Sequence, residues 1–142
     1  MRSLLDVNVL IAALDAGHVH HARVMGWLAA EGRHGWASSP LTQNGCVRIM
    51  SQAAYPAALK PMEVIERLRE ATDHPSHQFW PDDVSLLDID SVLGERILGP
   101  RQVTDLYLLA LSVRHGGRLV TMDARIALDA VPGARPNHLL VL

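Results

Sequence analysis

The chain has 142 residues, 49% hydrophobic and 20% charged, with a formal net charge of −2. This is the size of one domain, residues 1–142, with enough apolar residues to bury a core and too many for a disordered chain. The charge balance excludes a global basic field that gathers nucleic acid, no apolar run reaches the roughly 20 residues of a membrane helix, and a single cysteine, Cys46, excludes an internal disulfide or a cysteine-built zinc cage.

Leu4-Leu5 reads as a short buried strand, and Val7 to Leu14 as a short helix ended by Gly17. The first fourteen residues look like a signal h-region. Asp6 and Asn8 interrupt it, however, and no small-residue cleavage site follows, so a cytoplasmic chain is expected. His20 to Glu31 places Ala22, Met25, Leu28 and Ala29 at a helical period and stops at Gly32. Gly35 to Ser38 reads as a second strand. Ser39-Pro40 then opens a helix, serine as cap and proline in the first turn, with Leu41, Val47, Ile49 and Met50 inward.

Lys60-Pro61 opens another helix, with Met62, Val64, Ile65 and Leu68 on its apolar side. Gln78 to Trp80 reads as a third strand, and Ser91 to Leu98 as a short helix ended by Gly99-Pro100. Thr104 to His115 is a helix capped by Thr104, burying Leu106, Leu109, Ala110 and Val113, and stopped by Gly116-Gly117. Arg118 to Thr121 and His138 to Val141 are the last strands. Strands separated by helices imply an α/β fold: a central, mainly parallel sheet of about five strands covered on both faces.

Three carboxylates stand at joints of this scheme. Asp6 ends the first strand, Asp105 opens the long helix, and Asp123 follows the fourth strand. Strand-end side chains of such sheets face the crevice where ligands bind. Three carboxylates converging there repel one another unless a hard cation sits among them, so the placement points to a divalent-metal site and phosphoryl-transfer chemistry. Thr121, on the same strand face as Asp123, and Asn8, at the start of the first helix, are placed to hydrogen-bond a neighbouring carboxylate. Taken singly, Asp105 reads as a dipole-favoured helix-start residue and Asp123 as a turn residue. Asp6 is harder to explain that way, because an aspartate inside an apolar run is costly unless paired.

Four segments, in order, resemble the motifs of PIN-domain ribonucleases, and most closely the VapC-type toxins of bacterial toxin–antitoxin pairs. They are Leu4 to Ile11, Ser39 to Ile49, Arg101 to Ala110 and Leu119 to Asp123. The resemblance spans nearly the whole chain. It implies a three-layer α/β/α PIN-like domain with magnesium- or manganese-dependent endoribonuclease activity on structured RNA, commonly transfer or ribosomal RNA. It also implies a VapB-like antitoxin whose C-terminal segment occupies the toxin groove, in a homodimer or a toxin–antitoxin hetero-oligomer. Asp6, Asp105 and Asp123 match the family's acidic metal positions, and Thr121 its polar helper.

One position departs from the family pattern. Gln43 stands where the family has glutamate, which removes a charge and a metal-competent oxygen and is expected to weaken catalysis. Either the glutamine is natural, leaving a weak nuclease or a silent domain that binds antitoxin or RNA, or it was introduced to disarm a toxic protein. The isosteric swap in an intact motif favours the second. A phosphatase of the haloacid-dehalogenase kind fits less well, since it needs an aspartate where Asn8 stands. Of the thirteen basic residues only Lys60 is lysine. Among the arginines, Arg48, Arg101, Arg114, Arg118 and Arg125 are candidates to frame an RNA groove, with Arg101, just before Asp105, the first choice. Cys46 reads as core, His18, His20 and His21 as exposed loop histidines, and Trp80 and the Met25, Trp27 and Leu28 surface as core or an interface.

Overall fold

In a computed structural model describing residues 1–142, five strands form one sheet in the order β3-β2-β1-β4-β5. They are β1 (Ser3–Leu5), β2 (Trp36–Ser38), β3 (His77–Phe79), β4 (Arg118–Thr121) and β5 (Leu139–Val141), and every neighbouring pair is parallel. Side chains alternate across each strand and so divide the core in two. Leu4 and Leu119 join the face covered by α5 (Val103–Arg114). Leu5 and Val120 join the face covered by α1 (Val7–Leu14), α2 (His21–Glu31), α3 (Pro40–Met50) and α4 (Pro61–Thr72). This is the three-layer α/β/α arrangement expected from the sequence.

Local chemistry accounts for most of the boundaries. Ser39 caps α3: its hydroxyl accepts from Thr42 N–H at 3.4 Å, and its own N–H donates to the Thr42 hydroxyl at 2.9 Å. Pro40 takes the first helical position. Inside α3 the fully buried side chains are Thr42, Cys46 and Met50, whereas the expected Leu41, Val47 and Ile49 are only half-buried. Helix α5 is buried nearly all round, with Leu106, Leu108, Leu109 and Leu111 each 2% exposed or less. Such a helix is held by packing, and truncating any one of these leucines costs about 2–5 kcal/mol.

Three expectations need correction. Strand β3 ends at Phe79; Trp80 lies just beyond it, its ring stacked on His115 with centroids 4.6 Å apart. The helix expected over Ser91 to Leu98 does not form beyond a 3-10 turn at Gly94–Arg96. Gly94 resists helix, and the Leu93 N–H is taken by the Ala130 carbonyl at 2.9 Å while Leu98 stays 85% exposed. Thr104 is not the cap of α5. A 3-10 turn at Pro100–Gln102 runs directly into the helix, which starts at Val103 with no side-chain cap.

The order of strands positions the site. The chain builds β1, β2 and β3 towards one edge, then crosses to β4 and β5 on the other side of β1. The carboxyl ends of β1 and β4 therefore flank a topological switch point, where open parallel sheets leave a ligand crevice. Gly45 brings α3 into its wall. A Cβ there would meet Val7 Cγ2 at 2.7 Å, so only bare backbone lets α3 cross so close to the first turn of α1.

Candidate active site

Asp6 leaves β1 with its backbone N–H donating to the Val120 carbonyl of β4 at 2.9 Å. It is the N-cap of α1. Its Oδ1 accepts from Val7 N–H at 2.7 Å and its Oδ2 from the Thr121 hydroxyl at 2.7 Å. Only 6% exposed, the carboxyl is pushed up by burial, against which the bonds from Thr121 and Val7 act; the charge of Asp123 adds to the rise. Thr121 Oγ1 also accepts the Asp123 N–H at 3.1 Å, so one hydroxyl ties the Asp6 carboxylate to the backbone of Asp123. The hydrogen bond to a neighbouring carboxylate that its position on the strand suggested is therefore made.

Asp123 is clamped by its own turn. Arg125 donates to Oδ1 through its backbone N–H at 2.8 Å and Nε at 3.0 Å, and to Oδ2 through Nη2 at 2.9 Å. Those bonds hold the Asp123 carboxyl below the usual carboxylate range. Asp105 lies in the first turn of α5, third in the helix rather than first. Burial, then the charges of Asp6 and Asp123, push its carboxyl up to about 6, and only the charge of Arg125 opposes them. The three expected carboxylates thus feel one another across the crevice.

Their arrangement is not a finished chelate. No three carboxylate, imidazole or thiol groups in the molecule stand close enough together to hold a metal ion. Both Asp123 oxygens are engaged by Arg125, and the three carboxylates are neighbours across the crevice. The donor set still fits a hard dication. It is all oxygen, it brings excess negative charge to one crevice, and ions such as Mg²⁺ keep several of their own waters.

Two adjoining hollows share Asp105 as a common wall. The first, about 460 Å³, is lined by Asp6, Asn8, Asn44, Arg48, Thr104 and Asp105 among others. The second, about 340 Å³, is lined by Arg101, Gln102, Asp105, Asp123 and Arg125, with Leu98, Gly99 and Pro100. Arg101 is therefore at the rim, as expected. Asn8 lines the first hollow, but the bonds to Asp6 come from Val7 and Thr121 instead.

Gln43 does not line either hollow. It faces a third, of about 560 Å³, with Val47, Arg48 and Arg69. Its Nε2 donates to Ser38 Oγ at 2.9 Å, and that hydroxyl bonds His77 Nε2 at 2.8 Å. Burial holds His77 below its usual value, with the Thr72 backbone opposing this and the charge of Arg2 adding to it. The polar residues of α3 that line the first hollow are Asn44, one position on, and Arg48, both of which also border the third hollow. A helix turns about 100° per residue, and that step decides which amide faces the crevice.

Of the five candidate arginines, Arg48, Arg101 and Arg125 reach the crevice. Arg114 pairs with Asp83 at 3.8 Å. Arg118 pairs with Glu31 at 3.5 Å, donates to Ser3 Oγ and stands over the Trp27 ring. Burial pushes the Cys46 thiol up to about 12, consistent with core packing. His21 is not a free loop histidine, since its ring bonds the Ala12 carbonyl at 2.7 Å. Met25 and Leu28 line an apolar groove of about 800 Å³ between α2 and α4. Asn44 and Thr104 were missed as site residues. The pairing of Asn44 with Arg48, one helical turn apart, was the available signal.

Residues 3–132 match the model of the PIN domain, and the chain belongs to that family. Its relatives among curated proteins include Ribonuclease VapC44 of Mycobacterium tuberculosis, 50% identical over 142 residues and 100% of both chains. Ribonuclease VapC39 of the same organism is 42% identical over 134 residues, 94% of this chain and 96% of that one. Among solved structures, VapBC2 from Rickettsia felis bound to a promoter DNA fragment superposes with a TM-score of 0.61 at 15% identity, over 100% of this chain and 99% of that one. Mycobacterium tuberculosis VapC20, described as a sarcin-ricin loop cleaving toxin, superposes with a TM-score of 0.61 at 12% identity, over 94% and 99%. At those identities the last two share the fold.

Proposed function

We propose that this protein is a VapC-type endoribonuclease, the toxin of a toxin–antitoxin pair, in which Asp6, Asp105 and Asp123 hold Mg²⁺ or Mn²⁺. The observation that carries the reading is the crevice itself. Carboxylates from β1, α5 and the β4 turn line two hollows that share Asp105 at the switch point, and burial with the other two charges raises Asp105 to about 6. Such a site repels a bare phosphodiester and favours a hard dication. The relatives named as ribonucleases support the same chemistry. When bound, the ion supplies charge for the phosphoryl oxygens and acidifies a water.

The chain's own residues do the rest. Val7 and Thr121 hold Asp6 in one orientation, and Thr121 sets Asp123 beside it. Arg48 and Arg101, on opposite sides of Asp105, are placed to hold flanking phosphates bidentately. Asn8, Asn44 and Thr104 offer hydrogen bonds to a nucleotide in the first hollow. The substrate is a structured RNA, transfer or ribosomal, met in the cytoplasm. The partner is a VapB-like antitoxin, in a homodimer or hetero-oligomer; no helix is long and apolar enough to cross a membrane.

The test is incubation of the purified chain with transfer and ribosomal RNA in Mg²⁺, Mn²⁺ or EDTA. Cleavage is expected with either ion, none in EDTA, and none by the Asp105→Asn variant. Undiminished cleavage in EDTA overturns the metal-dependent reading. A second reading, a silent PIN domain that binds antitoxin or RNA, rests on Gln43 standing where the family has glutamate. It predicts an inactive chain and cleavage restored by Gln43→Glu.

A further inference from the structure

The turn after β4 carries a cation as well as a carboxylate, and the two are locked together. Arg125 lies two residues after Asp123. Its guanidinium sends Nε–H to Oδ1 at 3.0 Å and Nη2–H to Oδ2 at 2.9 Å, while its backbone N–H also reaches Oδ1. The side chain is 81% exposed and has no other hydrogen-bonded partner. It shares the second hollow with Arg101, Asp105 and Asp123.

We propose that Arg125 is a positioning residue: an internal counter-ion that holds Asp123 and must be displaced before Asp123 binds a divalent ion. The inference rests on the metal-centre reading above. A guanidinium fork engages both carboxylate oxygens in one plane, and a hard cation needs a lone pair on the same atoms. Asp105 carries no such clamp, and the two Asp6 oxygens are held only by the neutral Val7 N–H and Thr121 hydroxyl, so Asp123 is the one ligand gated by a cation. The fork sets a positive charge on Asp123 that Asp105 also feels, which offsets part of the repulsion between those two carboxylates. An exposed ion pair contributes little, so the clamp weakens ion binding by about two- to fivefold and does not prevent it.

The test is calorimetric titration of Mn²⁺ into the full chain, comparing wild type, Arg125→Gln and Arg125→Lys. Lysine keeps the charge but loses the fork. If the fork is the obstacle, both variants bind Mn²⁺ about two- to fivefold more tightly than wild type. In wild-type protein the Arg125 Nε–H resonance then moves with Mg²⁺ occupancy as its bond to Asp123 breaks. Tighter binding by Arg125→Gln alone assigns the effect to bulk charge and overturns the clamp. So does unchanged affinity in both variants, or an Nε–H signal that ignores the ion. Absence of Mn²⁺ binding in all three proteins overturns the metal centre itself, and the clamp with it.

Discussion

Replacing Asp105 with asparagine should stabilise the metal-free protein at neutral pH. Burial first, then the charges of Asp6 and Asp123, raise the Asp105 carboxyl from an ordinary 3.8 to about 6. A folded value above the unfolded one means that ionisation opposes folding. The protonated group's contribution is fully present below the unfolded value and lost as pH rises through about 6. At full strength the gap corresponds to roughly 3 kcal/mol. The side chain is partly open to water, so screening reduces this to about 1–2 kcal/mol. For a chain of this length that is roughly 3–8 °C in Tm. Thermal melts in EDTA should show Asp105→Asn above wild type at pH 7, with the gap closing towards about pH 4. Saturating Mg²⁺ should then reverse the order. An ion at about a hundredfold its Kd adds roughly 2.7 kcal/mol to the form that binds it, and the variant has lost that ligand. A variant less stable than wild type in EDTA at pH 7, or a gap indifferent to pH, would refute the electrostatic account of the crevice.

Gln43→Glu should not raise cleavage, because residue 43 is tied to Ser38 outside the two hollows. It should instead cost about 1–3 kcal/mol, because the Gln43 amide N–H that donates to the Ser38 hydroxyl is lost. A rate gain of about a hundredfold, as a restored general base gives, would show that α3 turns this side chain inward. Thr121→Val removes the donor to Asp6 and the acceptor for Asp123 N–H. The Asp6 carboxyl rises further, so a loss of about 1–3 kcal/mol in urea unfolding should be larger at pH 8 than at pH 5. Arg101→Ala should leave stability unchanged, weaken RNA binding alike across sequences and lower the log–log salt slope by about 1. Tight RNA retention in EDTA once the rim arginines are removed would count against this account.

Elements governed by neighbours along the chain were legible beforehand. The Ser39-Pro40 cap, the apolar run of α5 and its Gly116-Gly117 stop act within a few residues, and the structure has them where expected. The positions of Asp6 and Asp123 just after β1 and β4, and of Asp105 in the first turn of α5, were legible for a related reason: strand ends and helix starts are marked by nearby residues. The short segment around Gly94 misled, since its apolar spacing suits a helix while its Leu93 N–H is satisfied by Ala130, far along the chain.

Amino-acid order alone thus settled the alternation of strands and helices and which carboxylates end them, because periodicity, capping and turn chemistry are short-range. Only the tertiary structure decided what faces what. Gly45 lets α3 pack close against Val7, and Asn44 and Arg48 line the crevice while Gln43 does not. The packing of β1, β4 and α5 brings three charges near enough to raise Asp105. Coulomb coupling depends on distance through space, and that distance follows from packing between segments about a hundred residues apart.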